Sequence, residues 1–176
     1  MNIFIGGSRT ISKLSAPVRE RLDGFIQRGD TILVGDANGA DKAVQKHLAS
    51  RGYRNVLVYC TESCRNNVGD WPIRSIKPAS QRRDFSYYAA KDIAMAEEAR
   101  CGVMLWDAKS KGTLQNVRNL AGAGKRTLLY LAPTKEFRVI DTEQQLRTFL
   151  TLRETDQSST SFANSGATQS KLRLTG

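Results

Sequence analysis

The chain has 176 residues, with 27 Lys and Arg against 17 Asp and Glu, a formal net charge of +10, and 40% hydrophobic residues. That length suits one domain with its own core, and excludes a mini-protein that depends on disulfide or metal staples. One histidine, His47, and three cysteines without paired spacing (Cys60, Cys64 and Cys101) leave zinc chemistry and imidazole-assisted nucleophiles short of groups, so no metal and no cofactor is expected. Short apolar runs then alternate with stretches of helical period, the pattern of a parallel sheet crossed by helices. The first strand is expected over Asn2 to Ile5, stopping at Gly6-Gly7. Leu14, Val18, Leu22, Phe25 and Ile26 follow at helical spacing behind Ser15 as N-cap, and Gly29-Asp30 ends that helix. Thr31 to Val34 reads as the second strand, and a helix with Ala40, Ala43, Val44 and Leu48 inward ends at Arg51-Gly52. Asn55 to Tyr59 is the third strand.

Residues 61–80 show no sustained period and are too long for an ordinary connection, so they are expected to be a functional or mobile loop. A helix from about Arg82 to Arg100, a fourth strand at Gly102 to Trp106, a helix from Thr113 to Ala121 and a fifth strand at Thr127 to Leu131 follow. Phe137 to Ile140 adds a short edge strand, and Asp141-Thr-Glu-Gln caps a last helix to Leu150. The expected fold is therefore α/β: a Rossmann-like open parallel sheet of about five strands with helices on both faces. Residues 1–150 form its single domain, and residues 151–176, rich in Ser, Thr, Gln, Asn and Gly, form a flexible polar tail. No apolar run approaches the ~20 residues of a membrane span, so a cytoplasmic protein without membrane contact or signal peptide is expected.

In an open parallel sheet, ligands sit beyond the carboxyl ends of the strands. Those ends are Gly6-Gly7-Ser8-Arg9, Gly35-Asp36-Ala37-Asn38-Gly39-Ala40-Asp41, the 61–80 loop, and Trp106-Asp107-Ala108-Lys109-Ser110-Lys111-Gly112-Thr113. Three of the four are rich in glycine and small polar residues, which lets backbone amides approach a phosphate at a helix start. Arg9 offers a guanidinium fork, Asp36 a carboxylate for a ribose hydroxyl, and Trp106 a surface for a base or a core ring. Asp41 reads as a first-turn residue favoured by the helix dipole. Asp92, four residues after Tyr88 on one helical face, is the leading candidate for a catalytic acid, with Asp36 the alternative. Cys60 and Cys64 read as ordinary reduced thiols, His47 as a helix-edge residue, and Trp71 as a lid, partner or core residue. Gly122-Ala-Gly-Lys-Arg-Thr127 is a helix-to-strand turn and not a P-loop, because Asn119 replaces the first glycine and Arg126 the Ser or Thr. The first loop likewise lacks the third glycine of a dinucleotide fingerprint, which argues against an NAD dehydrogenase.

Together, the Gly-Ser-Arg segment, Gly-Asp-Ala-Asn-Gly-Ala-Asp-Lys-Ala after the second strand and Trp-Asp-Ala-Lys-Ser-Lys-Gly-Thr after the fourth resemble the SLOG superfamily, within its YspA or YpsA-related branch. The resemblance covers about residues 1–132 and implies a Rossmann-like fold. Its wider membership includes the Lonely Guy phosphoribohydrolases, the DNA-processing protein DprA and sensors of nucleotide derivatives such as cyclic ADP-ribose isomers. Gly112 and Thr113 match the enzymes' glycine-rich segment, implying a phosphate on that helix start. Asn116 stands at the position of their catalytic glutamate, and an amide cannot exchange a proton as a carboxyl does. Lys109 and Lys111 bring positive charge where glycines are usual.

The leading expectation is a sensor or sequestering protein for a nucleotide-derived, phosphorylated ribose ligand. Its binding residues would be Gly6, Gly7, Ser8 and Arg9; Gly35, Asp36, Asn38, Gly39 and Asp41; and Trp106, Asp107, Ser110, Lys111, Gly112, Thr113 and Asn116. One alternative is an N-glycosidase or phosphohydrolase acting on such a ligand through Asp92 or Asp36. Another is binding of single-stranded nucleic acid in the manner DprA suggests, with the +10 charge and Tyr87, Tyr88 or Trp71 as stacking surfaces. The resemblance also implies a homo-oligomer.

Overall fold

The structure, a computed structural model, describes residues 1–78 and 85–166. The chain divides into two compact units, Met1–Thr142 and Glu143–Gly176. The first holds seven strands: β1 (Asn2–Gly7), β2 (Thr31–Gly35), β3 (Val56–Thr61), β4 (Ile73–Ile76), β5 (Cys101–Trp106), β6 (Thr127–Leu131) and β7 (Glu136–Ile140). They form one sheet in the order β4-β3-β2-β1-β5-β6-β7, parallel throughout except for β7, which pairs antiparallel with β6. Four helices connect them: α1 (Ala16–Gln27), α2 (Ala40–Ser50), α3 (Phe85–Glu98) and α4 (Lys111–Gly122). The fold is Rossmann-like, as the sequence implies, with two more strands than its core count.

Strands buried on both faces need apolar side chains at successive positions, and β1, β2, β3 and β5 are built that way. Ile3 and Ile5, Ile32 and Val34, Val56 and Val58, and Val103 and Leu105 turn to one face. There they pack with Val18, Leu22 and Phe25 of α1 and Ala40, Val44 and Leu48 of α2. The alternate residues Phe4, Leu33, Tyr59 and Met104 are equally buried on the face covered by α3 and α4. Gly102 lets Leu120 of α4 sit directly on β5; a Cβ there would lie 2.2 Å from the leucine's Cδ1. Because α1 and α2 cover one face and α3 and α4 the other, the chain reverses its winding between β1 and β5.

The extra strand, β4, lies inside the 61–80 segment. Three of its four residues are exposed and it pairs only with β3, so it carries no apolar alternation to read. The expected start of the third helix near Arg82 falls outside the described residues. Trp71 belongs to the core: it is 4% exposed, and its Nε1–H donates to the Tyr53 carbonyl at 2.8 Å. Tyr87 is also buried, so neither ring is a surface for stacking a base, and the Tyr88 side chain lies outside the described residues. Cys60 and Cys64 are joined as a disulfide and are not free thiols. His47 is buried and bonds Asp23 Oδ1 at 2.8 Å.

In the second unit, α5 runs Glu143–Gly166, past Leu150, with an Arg147–Glu143 ion pair one turn apart. No helix among the described residues is long and apolar enough to cross a membrane.

Candidate functional site

The reversal of winding opens a crevice beyond the ends of β1 and β5, where loops from opposite faces diverge. A cavity of about 430 Å³ fills it, walled by the β1–α1 loop, the start of α2, the middle of α3 and the start of α4. Two glycines let these loops close on one another. At Gly7 a Cβ would lie 2.3 Å from the Leu105 carbonyl oxygen, the same oxygen that accepts the Ser8 N–H at 2.8 Å. Gly39, the N-cap of α2, has φ of +86°, and a Cβ there would meet the Arg9 carbonyl at 2.2 Å. The Ala40 N–H then donates to the Ser8 carbonyl, tying the start of α2 to the loop that carries Arg9.

The wall formed by α4 is organised by three short polar side chains. Ser110 is the N-cap and its Oγ accepts the Thr113 N–H at 3.3 Å. Thr113 Oγ1 lies 3.0 Å from Ser110 Oγ and 3.2 Å from Ser8 Oγ, which accepts the Asp107 N–H. Asp107 Oδ1 accepts the N–H groups of Lys109 and Ser110, and Oδ2 accepts the Thr10 hydroxyl at 2.7 Å. Burial raises the pKa of this carboxyl, but the hydrogen bonds from Thr10 and the Ser110 and Lys109 amides outweigh it and hold the group at about 2. Asp107 is thus a permanent anion spent on shaping the loop. Lys111 and Gly112, the first two helical residues, carry N–H groups for which the helix itself has no acceptor, and Gly112 lines the cavity. An anion placed there meets both the amides and the positive end of the helix.

A charged cluster forms the opposite wall. Lys91 of α3, 4% exposed, bonds Asp92 Oδ1 at 2.6 Å and lies 4.0 Å from Asp41 Oδ2. Asp92 Oδ2 accepts the Asn116 amide at 3.1 Å, and Asp41 Oδ2 accepts the Ala37 N–H. Burial pushes the Asp41 carboxyl up to about 6, against the attraction of Lys91 and with the repulsion of Asp92. For Lys91, burial favours the neutral amine, but Asp92 and Asp41 prevail and its pKa is raised. The lining thus offers three cations, Arg9, Arg65 and Lys91, and three carboxylates, Asp41, Asp92 and Asp107.

Neither a family model nor a curated protein matches the chain. A solved structure does. The fold is shared with DNA processing protein A. The structure from Helicobacter pylori, which describes that protein's single-stranded DNA binding mode, is similar with a TM-score of 0.54 and 14% identity, over 73% of this chain. The match spans 64% of the chain in that structure.

Of the residues the sequence singles out, Gly6, Gly7, Arg9, Asp41 and Asp92 line the cavity, as do Asp107, Ser110, Gly112, Thr113 and Asn116. The remainder stand behind or beside it. Ser8 supports the loop from beneath, and Gly35 accepts Gln45 Nε2 on its carbonyl. Gly39 is the buttress described above, and Asn38 accepts from Asn66. Trp106 is 4% exposed and donates its Nε1–H to the Ser110 carbonyl, so it holds the α4 cap and presents no face for stacking. Lys111 is exposed outside the cavity.

Asp36 is occupied by Arg65. Its Oδ1 accepts Nη2 at 2.7 Å and its Oδ2 accepts both Nε and the backbone N–H of Arg65 at 3.0 Å. Burial raises the pKa of this carboxyl, yet Arg65 holds it below the ordinary carboxylate range. Asp36, Cys60 and Cys64 bring ligand-type atoms within 4.8 Å of one another, but the sulfurs are bonded together and the carboxylate is spent on Arg65. That donor set does not fit a metal ion. Lys91 and Arg65 stand outside the binding residues expected from the sequence. A lysine next to an aspartate within an apolar stretch of α3 is the trace Lys91 leaves, whereas Arg65 shows in the sequence only as one of the basic residues clustered in and after the aperiodic segment, with nothing to link it to Asp36.

Proposed function

We propose that this protein binds single-stranded nucleic acid along the C-terminal edge of its sheet, and that the chain belongs with the SLOG superfamily. The observation that carries the reading is the cavity between β1 and β5, with the first turn of α4 and Arg9 in one wall. A backbone phosphate seated there would accept the N–H groups of Lys111 and Gly112 and pair with the Arg9 guanidinium. The adjoining nucleoside would enter the cavity, where the Asn116 amide and the Asp92 carboxylate offer donors and acceptors to a base edge. Two further findings support the reading. The net charge of +10 attracts a polyanion, and the fold is shared with a protein whose single-stranded DNA binding mode has been described. With Trp71, Tyr87 and Trp106 buried, affinity would come chiefly from phosphate contacts.

The test is a fluorescence-anisotropy titration of a labelled twelve-residue oligothymidylate at several salt concentrations. Affinity should fall linearly on logarithmic axes, with a slope of about −0.7 for each phosphate neutralised. Arg9→Ala should lower affinity and flatten the slope. A second reading is favoured by the volume of the same cavity, about 430 Å³, which suits one small phosphorylated ribose ligand. A mononucleotide or ADP-ribose that raises the unfolding midpoint with little salt dependence, while the oligonucleotide does nothing, would favour that reading.

A further inference from the structure

Beside the first cavity lies a second, of about 290 Å³, that shares Thr10 with it. It opens beyond the ends of β1, β5 and β6, so the two cavities adjoin at Thr10. Its floor is apolar, built from Leu14, Val18, Leu105 and Tyr130, and Tyr130 is pinned by a 2.7 Å hydrogen bond from its hydroxyl to Ser15 Oγ. Its rim carries Lys13 from the β1–α1 loop and Lys135 from the β6–β7 turn, both exposed. Neither lysine forms an ion pair among the described residues. An apolar slot roofed by two uncommitted ammonium groups matches the chemistry of one nucleotide, whose base has apolar faces and whose phosphate carries a negative charge.

From this arrangement we infer that the second cavity is a nucleotide subsite: Lys13 and Lys135 pair with the backbone phosphate that follows the one seated at α4, and the attached base lies on the apolar floor. The inference rests on the nucleic-acid reading and gives it a direction, from α4 across Thr10 toward the β6–β7 turn. Thr10 is held by its bond to Asp107, so the ridge between the two slots is fixed before the strand arrives. Charge complementarity, and the Thr10 wall it shares with the first cavity, commit the site to this occupant.

The experiment compares wild-type protein, Lys13→Ala/Lys135→Ala, and Arg54→Ala/Arg100→Ala as a control that removes the same charge from the opposite edge of the sheet. Each binds the labelled twelve-residue oligothymidylate from low to physiological salt, and unfolding midpoints verify that all three are folded. The lysine pair should weaken binding about tenfold at low salt and flatten the logarithmic salt slope by about 0.7, the share of the one phosphate they hold. The control should keep the wild-type slope. An unchanged slope in the lysine variant overturns the subsite while wild-type binding upholds the reading beneath it. Equal losses in both variants overturn it too, because the charge then acts without a place. Absence of wild-type binding overturns both.

Discussion

The buried carboxyl of Asp41 gives a signed pH dependence that a single substitution isolates. Its pKa is pushed up from 3.8 to about 6, so between those values the folded protein holds a proton that the unfolded chain has released. The stabilisation is complete below the unfolded value and is lost as pH rises through the folded one. At about 1.4 kcal/mol per tenfold change in proton affinity, the full swing is about 3 kcal/mol, and roughly 2 kcal/mol of it falls between pH 4.5 and 7.5. Asp41→Asn keeps an oxygen for the Ala37 N–H and cannot titrate, while Lys91 retains Asp92 at 2.6 Å. Urea unfolding of both proteins at several pH values gives the difference directly. Contributions from Asp23, Asp30, Asp36 and Asp107, whose lowered pKa values run the other way, cancel between them. Wild type minus variant should fall by about 2 kcal/mol from pH 4.5 to 7.5, which in thermal unfolding corresponds to roughly 4–8 °C in relative midpoint. A difference that is flat, or that grows with pH, would refute the placement of Asp41 as an acid buried among Lys91, Asp92 and Asp36.

Arg65→Ala strands Asp36, a carboxylate 1% exposed, and should cost about 2–3 kcal/mol in urea unfolding; adding Asp36→Asn should restore most of that loss, as a double-mutant cycle would report. Gly39→Ala places a methyl 2.2 Å from the Arg9 carbonyl at a φ of +86°, so a loss of about 3 kcal/mol and weaker oligonucleotide binding are expected, read by thermal unfolding and anisotropy. Ser110→Ala removes the α4 N-cap and should cost about 1 kcal/mol, with a parallel fall in phosphate-dependent binding. Oligonucleotide affinity should also rise as pH falls from 7.5 to 5.5, because protonation of Asp41 removes a negative charge from the cavity wall; at ~8 Å and an effective dielectric constant of ~20 that charge is worth up to about 2 kcal/mol. Asp41→Asn should abolish this dependence in an anisotropy series.

The central strands were legible because a parallel strand covered on both faces needs an unbroken apolar run, and Ile3 to Ile5, Ile32 to Val34 and Met104 to Leu105 supply one. The strand-end loops were legible from their glycines and short polar residues, and most of the residues chosen from them meet at one cavity. What the sequence did not carry is the folding of 61–78. That segment is organised by Gln45, a buried amide in α2 that bonds the carbonyls of Gly35 and Asn66 and accepts the Val68 N–H. These contacts, with the Cys60–Cys64 disulfide, hold Arg65 over Asp36 and bring Trp71 into the core. A glutamine within an amphipathic helix gives no sign that it will anchor a distant loop. For the same reason Asp36 read as a free ligand group, although its partner lies 29 residues away.

The most direct test of the strand-end site is photocrosslinking of the intact protein to a single-stranded oligonucleotide containing 4-thiothymidine, with the modified peptides located by mass spectrometry. Crosslinks should fall in segments 6–13 and 107–116, which wall the cavity beyond β1 and β5. Crosslinks confined to α5 or to the outer surface of α1, with those two segments unmodified, would contradict binding at the sheet edge and leave the basic surface as a whole to explain any affinity.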